Sequence, residues 1–165
     1  MPDTKEIVIN TGPILALVAA VGDLDVLNMY DRVWVPFEVS QEVLIGGPEN
    51  FAASEFAAAC NLHKLQSPVE MTPLLGKSLD RGEAADIQFA LNEGVKTVCI
   101  DEVAGRRIAR LNDLSVTGSI GVLLRARQEG YHLSMRDAVQ RMRQRGIWLS
   151  QRVVDFAMAQ AGEEL

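Results

Sequence analysis

Cysteine and histidine are scarce in this chain, two of each among 165 residues. Cys60 and Cys99 lie far apart and form no metal-type or redox-type pair, so both are expected to be reduced and buried. His63 and His132 are isolated, with no serine or cysteine nucleophile pattern around them, which argues against a catalytic triad. No apolar run approaches the roughly 18 to 20 residues that cross a bilayer, and Met1 to Glu6 carries Asp3 and Glu6 where a leader would be basic. The expectation is a soluble cytoplasmic protein with no membrane contact. Net charge is −6, which argues against a generic nucleic-acid coat. The glycine and lysine spacing of a phosphate-binding loop is also missing: Thr11-Gly12-Pro13 lacks it, and Gly118 to Gly121 offers only G-S-I-G. That weakens a nucleotide-binding reading.

What remains is enough for one domain with a sizeable core. Nearly half of the residues are apolar, and no repeat, linker or low-complexity segment interrupts them. Charge is uneven: residues 1–102 hold 16 acids and 6 bases, whereas residues 103–165 hold 6 acids and 10 bases, all arginine. Such polarity suits a carboxylate cluster that holds a cation beside an arginine surface that attracts phosphates, although solvated helix faces would look the same.

The stretch Val95 to Glu102 organises the chain, because its β-favouring run Val98, Cys99, Ile100 ends abruptly in Asp101 and Glu102. Ahead of it, Ile7, Val8 and Ile9 read as a buried central strand ending at Asn10. Thr11 and Gly12 would turn the chain, and Pro13 would open a helix. Further elements are expected as a short helix over 24–30 capped by Asp23, a strand over 33–35 and a helix over 37–45 stopped by Gly46-Gly47. An alanine-rich helix over 49–59 and a strand over 62–66 come next. A helix over 80–92 precedes the 96–101 strand. A helix over 103–112, a short edge strand over 114–116 and three more helices complete the chain. Thr117 or Ser119 would cap the first of these, a Ser134–Asp137 box the second, and the last would start at Ser150. Residues 69–77 fit no pattern. Strands alternating with helices imply a parallel sheet with helices on both faces, so the fold class is a three-layer α/β/α domain. Residues 1–130 would form it, and 131–165 a C-terminal helical extension packed on it.

Ligands bind at the carboxyl ends of parallel strands, which brings Asn10 and Asp101 into one crevice if their strands are neighbours. Glu42, Glu83 and Asp86 are the other candidates, Glu83 and Asp86 sharing a helix face. Each has a plainer use: a turn-stabilising amide for Asn10, a capping box for Glu83, exposed helix acids for Glu42 and Asp86. Converging acids would repel one another unless a cation lay between them, and these hard oxygen donors suit Mg²⁺ or Mn²⁺. Thr11, Arg106, Arg107, Arg110, Thr117 and Ser119 are placed to meet substrate phosphates, the arginines as salt-sensitive contacts. Val153, Phe156, Ala157 and Met158 form an apolar stripe expected to pack on the chain's own sheet, with a second subunit as the alternative.

Five blocks in order resemble PIN-domain proteins: Ile-Val-Ile-Asn-Thr-Gly-Pro-Ile-Leu-Ala-Leu at 7–17, Val-Pro-Phe-Glu-Val-Ser-Gln-Glu-Val at 35–43, Arg-Gly-Glu-Ala-Ala-Asp-Ile at 81–87, Ile-Asp-Glu-Val-Ala-Gly-Arg-Arg at 100–107 and Val-Thr-Gly-Ser-Ile-Gly-Val-Leu at 116–123. The resemblance is nearest to a prokaryotic branch described as predicted nucleic-acid-binding proteins. It implies a sheet of order 3-2-1-4-5 and a metal-dependent ribonuclease that hydrolyses RNA by metal-activated water. Many members are the toxin of a toxin-antitoxin pair, so an antitoxin protein and a homodimer are implied partners. The family's four acidic positions fall on Asn10, Glu42, Glu83 (with Asp86 beside it) and Asp101. The first departs from the usual aspartate, which leaves a non-catalytic nucleic-acid- or protein-binding module as the rival reading. Glu102 matches no family position and is left to cap the next helix.

Overall fold

Ile7, Val8 and Ile9 are apolar on both sides of the chain, and a strand of that kind is stable only at the centre of a covered sheet. The computed structural model, which describes residues 5–45 and 51–164, places it there. Five strands, β1 (Glu6–Ile9), β2 (Arg32–Val35), β3 (Leu62–Lys64), β4 (Thr97–Cys99) and β5 (Ser115–Thr117), pair in parallel in the order β3-β2-β1-β4-β5. Side chains alternate across the sheet. Ile7 and Ile9 accordingly join one apolar cluster and Val8 the other.

The first cluster lies under α1 (Thr11–Val21), α2 (Phe37–Ile45), α7 (Ser119–Gln128), α8 (Met135–Gln144) and α9 (Gln151–Ala161). The second lies under α4 (Pro73–Ser78), α5 (Arg81–Glu93) and α6 (Val103–Leu111). The sheet is therefore the middle of three layers. A short α3 (Ala53–Ala58) leads into β3. Helix α5 is begun by Asp80, whose carboxylate accepts Glu83 N–H at 2.9 Å. Ser134 and Ser150 cap α8 and α9 in the same way, by accepting from the third residue on.

Several local expectations are corrected. Thr11 and Gly12 are already helical, so Pro13 is the third residue of α1, and Asn10 is its N-cap without a side-chain capping bond. Residues 25–29 form a 3₁₀ turn, where Asp23 still accepts Asp25 N–H at 3.0 Å. The alanine-rich helix is shorter than its composition suggested, and α4 occupies the segment without a pattern. The Gly46-Gly47 stop lies outside the described residues. Cys60 is exposed, and Cys99 alone is buried. Leu44 and Leu91 face water instead of the core. The C-terminal stripe is split by helix geometry: Ala157 and Met158 join Val154 in the core, where α9 packs against α7 and α8, while Val153 and Phe156 point outward.

Candidate active site

Parallel strands all point the same way, so the residues just beyond their carboxyl ends gather along one edge of the sheet. Asn10 comes directly after β1 and Asp101 lies just beyond β4, and these strands are neighbours, with Asn10 N–H donating to Cys99 C=O at 3.0 Å. The side chains at this edge fall into distinct surroundings, and three glycines decide which.

Gly82 stands in the first turn of α5. A Cβ added there would lie 2.7 and 2.9 Å from the two carboxylate oxygens of Glu42 and 3.1 Å from Asn10 Oδ1. Only a residue without a side chain leaves that volume to the three oxygens. Thr11, immediately after Asn10, donates its hydroxyl to Glu42 Oε2 at 2.5 Å and so orients the carboxylate. Asp86 comes four residues after Gly82, one turn along the same face of α5. It is fully buried, and neither of its carboxylate oxygens has a hydrogen-bond partner. Burial first, then the charges of Glu42, Glu83, Asp80 and Glu38, hold its carboxyl well above the usual carboxylate range.

Glu83 turns instead toward α6, where a Cβ on Gly105 would collide with Glu83 Oε2 and lie 2.9 Å from Ile100 Cγ2. That oxygen is buried and unpartnered. Burial, then the adjacent Asp80 carboxylate, then Glu102 and Glu42, push the Glu83 carboxyl up to about 8. Glu83 gives its backbone N–H to the Asp80 cap, while its own carboxylate lies against Gly105. Glu102 occupies the N-cap position of α6 but makes no capping bond with its side chain.

Asp101 is exposed, and its Oδ1 accepts Ser119 N–H at 2.8 Å, at the positive end of α7. A Cβ on Gly118 would lie 2.5 Å from the same oxygen and 2.8 Å from Arg106 Nη1, so an acid and a guanidinium share the gap above that glycine. Arg106 is half-buried and donates from Nη1 to Ile100 C=O at 2.8 Å, while Arg107 and Arg110 are exposed. Neither Thr117 nor Ser119 caps α7. Gly118 holds the N-cap position, Thr117 packs its hydroxyl over Gly121, and Ser119 contributes its backbone N–H from a buried position.

Sequence reasoning missed the three glycines and one acid. Glu38 precedes Glu42 by one turn of α2 and is 2% exposed; its Oε2 accepts Val69 N–H at 2.9 Å, while Oε1 has no partner. The four-residue spacing of Glu38 and Glu42 was the available signal. For the glycines it was their place at helix starts, where a residue costly to helix stability needs a packing reason.

Among the described residues, no three His, Cys, Asp or Glu side chains come close enough together to hold one ion. The acids are spread along the crevice, Glu42 and Asp86 with Asn10 on one side, Asp101 on the other and Glu83 against α6. Their chemistry still fits a hard divalent cation. Every donor is a carboxylate or amide oxygen, and Mg²⁺ is commonly held through one or two carboxylates with waters completing its octahedron. The buried, unpartnered oxygens of Asn10, Glu83 and Asp86 are the atoms such an ion and its waters would satisfy.

No curated protein and no solved structure matches the chain. A family model described as a PIN domain matches residues 6–163, across all five strands and the helices that carry these acids. With that match over almost its whole length and the sheet order 3-2-1-4-5, the chain belongs to the PIN-domain family, a nuclease-type fold.

Proposed function

We propose that this protein is a metal-dependent ribonuclease that hydrolyses RNA phosphodiesters in the crevice at the strand ends. The observation that carries the reading is the set of buried, unpartnered oxygens on Asn10, Glu83 and Asp86 beside the carboxylates of Glu42 and Asp101. Glu42, Glu83, Asp86 and Asp101 are the acids that would hold Mg²⁺ or Mn²⁺, one or two of them to any one ion with waters completing its shell, and Asn10 would add a neutral carbonyl oxygen. A divalent ion bound there supplies Lewis acidity, lowering the pKa of a water and offsetting the charge that builds on phosphoryl oxygens. The chain's own groups do the rest. Thr11 keeps Glu42 in one rotamer, Ser119 N–H does the same for Asp101, and Arg106 and Arg107 meet the flanking phosphates. An antitoxin protein and a second copy of the chain are the protein partners this reading carries. A solution mass near 18.1 kDa would remove the second.

Labelled single-stranded RNA incubated with and without Mn²⁺ tests the activity. Asp101→Asn and Glu42→Gln are expected to lose cleavage by on the order of 100-fold, and Thr11→Val about 10-fold. If Asp101→Asn cleaves as well as the parent, the proposed site is wrong.

A second reading is favoured by two observations: Asn10 brings one charge fewer than an aspartate, and Asp101 already has a helix N–H and a nearby guanidinium. On that reading the protein is a PIN-fold binding module without catalysis. Metal-dependent cleavage absent from the parent and restored by Asn10→Asp would establish it.

A further inference from the structure

We infer that the arginine-rich turn between α8 and α9 is a second contact surface for single-stranded RNA, apart from the acidic crevice; the inference rests on the RNA reading above. Trp148, in the middle of this turn, is 83% exposed. Between Asp137 and Asp155 the chain carries Arg141, Arg143, Arg145 and Arg152 and no acid, in a protein whose net charge is −6. Arg143, Arg145 and Arg152 are exposed, and Arg145 is steadied by stacking over Phe51, its guanidinium carbon 5.1 Å from the ring centre.

Helix electrostatics account for only part of this. Arg143 and Arg145 suit the negative end of α8, but Arg152 lies in the first turn of α9, where a cation is unfavourable. A second copy of the chain is a poor occupant, because a two-fold contact centred here would set arginines against arginines. Single-stranded RNA matches both features at once: guanidinium groups meet phosphates, and an exposed indole offers a face on which any base stacks.

The α8 end of this surface lies one helix length from the crevice. Arg141 Nε donates to Ala20 C=O at 2.6 Å, which puts the last turn of α8 at the C-terminal end of α1. At the other end of α1, Thr11 holds Glu42. This helix of 11 residues is roughly 16 Å long, so RNA that touches both places must run its length.

Fluorescence polarisation of a labelled polyuridine oligonucleotide, measured in EDTA so that no cleavage intervenes, tests the surface. Trp148→Ala is expected to weaken binding about 10-fold, while Trp148→Phe, which keeps an aromatic face, stays within about 3-fold of the parent. Arg143→Gln, Arg145→Gln and Arg152→Gln should each flatten the slope of log affinity against log salt by about 0.7. Affinity unchanged by Trp148→Ala but lost in Arg106→Gln would overturn this surface and leave the ribonuclease reading standing. Failure of the parent to bind any RNA would overturn both. A concentration-dependent mass in light scattering that Trp148→Ala abolishes, with RNA affinity untouched, would assign the turn to a second copy and overturn it too.

Discussion

Glu163 and Glu83 are the same residue in opposite circumstances. At the end of α9, Glu163 accepts from Ser134 Oγ at 3.0 Å, Met135 N–H at 2.8 Å, Arg136 N–H at 3.3 Å and Arg127 Nη1 at 2.9 Å. Burial alone would raise its pKa, but these donors outweigh it and hold the carboxyl below the usual range. In the crevice, Glu83 Oε2 and both oxygens of Asp86 have no donor at all, and burial raises both groups. An acid whose partners all come from its own chain is a structural tie, here joining the end of α9 to α7 and to the start of α8. An acid buried with none leaves its satisfaction to something that arrives from outside, or to a proton.

The largest expected effect comes from Glu83. Below the ordinary glutamate value of 4.5, folded and unfolded chains both hold the proton and Glu83 costs nothing. As pH rises from there to about 8, the unfolded chain ionises while the folded one does not, so metal-free protein loses stability through that window. Urea unfolding in EDTA at pH 9 should find Glu83→Gln more stable than the parent by about 1–3 kcal/mol. Equal stability at every pH would break the contrast.

Glu163 should show the opposite sign at a smaller size. Its folded pKa is depressed, so its contribution is fully present above 4.5 and disappears as pH falls through the folded value. Glu163→Gln is expected to cost about 1–2 kcal/mol at pH 7 and nothing in acid, by the same unfolding measurement. A variant as stable as the parent at neutral pH would show that the knot holds nothing together.

Gly82→Ala is the smallest change in stability and the sharpest separation of the two roles. Alanine suits a helix better than glycine by up to about 1 kcal/mol, so the melting temperature should hold or rise. The added Cβ occupies the space of Glu42 and Asn10, and Mn²⁺ binding by calorimetry should fall at least about 10-fold. Unchanged affinity would mean that the oxygens over Gly82 take no part.

Much of this was legible along the chain. The apolar run at 7–9 read as a central strand, and the break after Ile100 put Asp101 near a strand end. Once those strands were neighbours, Asn10 and Asp101 shared an edge. Helix starts with short polar caps, at Asp80, Ser134 and Ser150, were equally plain, because a cap is a bond across three residues. Less visible was anything set by contacts between distant segments. Ser119 looked like a capping hydroxyl but contributes its N–H to an acid 18 residues away. Glu83 and Asp86 shared a helix face by spacing, yet Glu83 lies against Gly105 and Asp86 continues the line of Gly82. The outward turn of Val153 and Phe156 depended on which side of α9 meets α7 and α8.

By itself the sequence determined the layers and the carboxylates at the strand ends, because periodicity and strand termination are local properties of the chain; the strand order was expected only from the resemblance to PIN-domain proteins. Only the tertiary structure decided which of those acids are paired and which are left bare. Pairing is a matter of angstroms between segments brought together from 31 to 36 residues apart, as with Thr11 and Glu42 or Arg127 and Glu163. Where a glycine at a helix start leaves a gap, an acid from another element fills it. The strand that ends in Asp101 supplies the place, and Gly82, Gly105 and Gly118 supply the room.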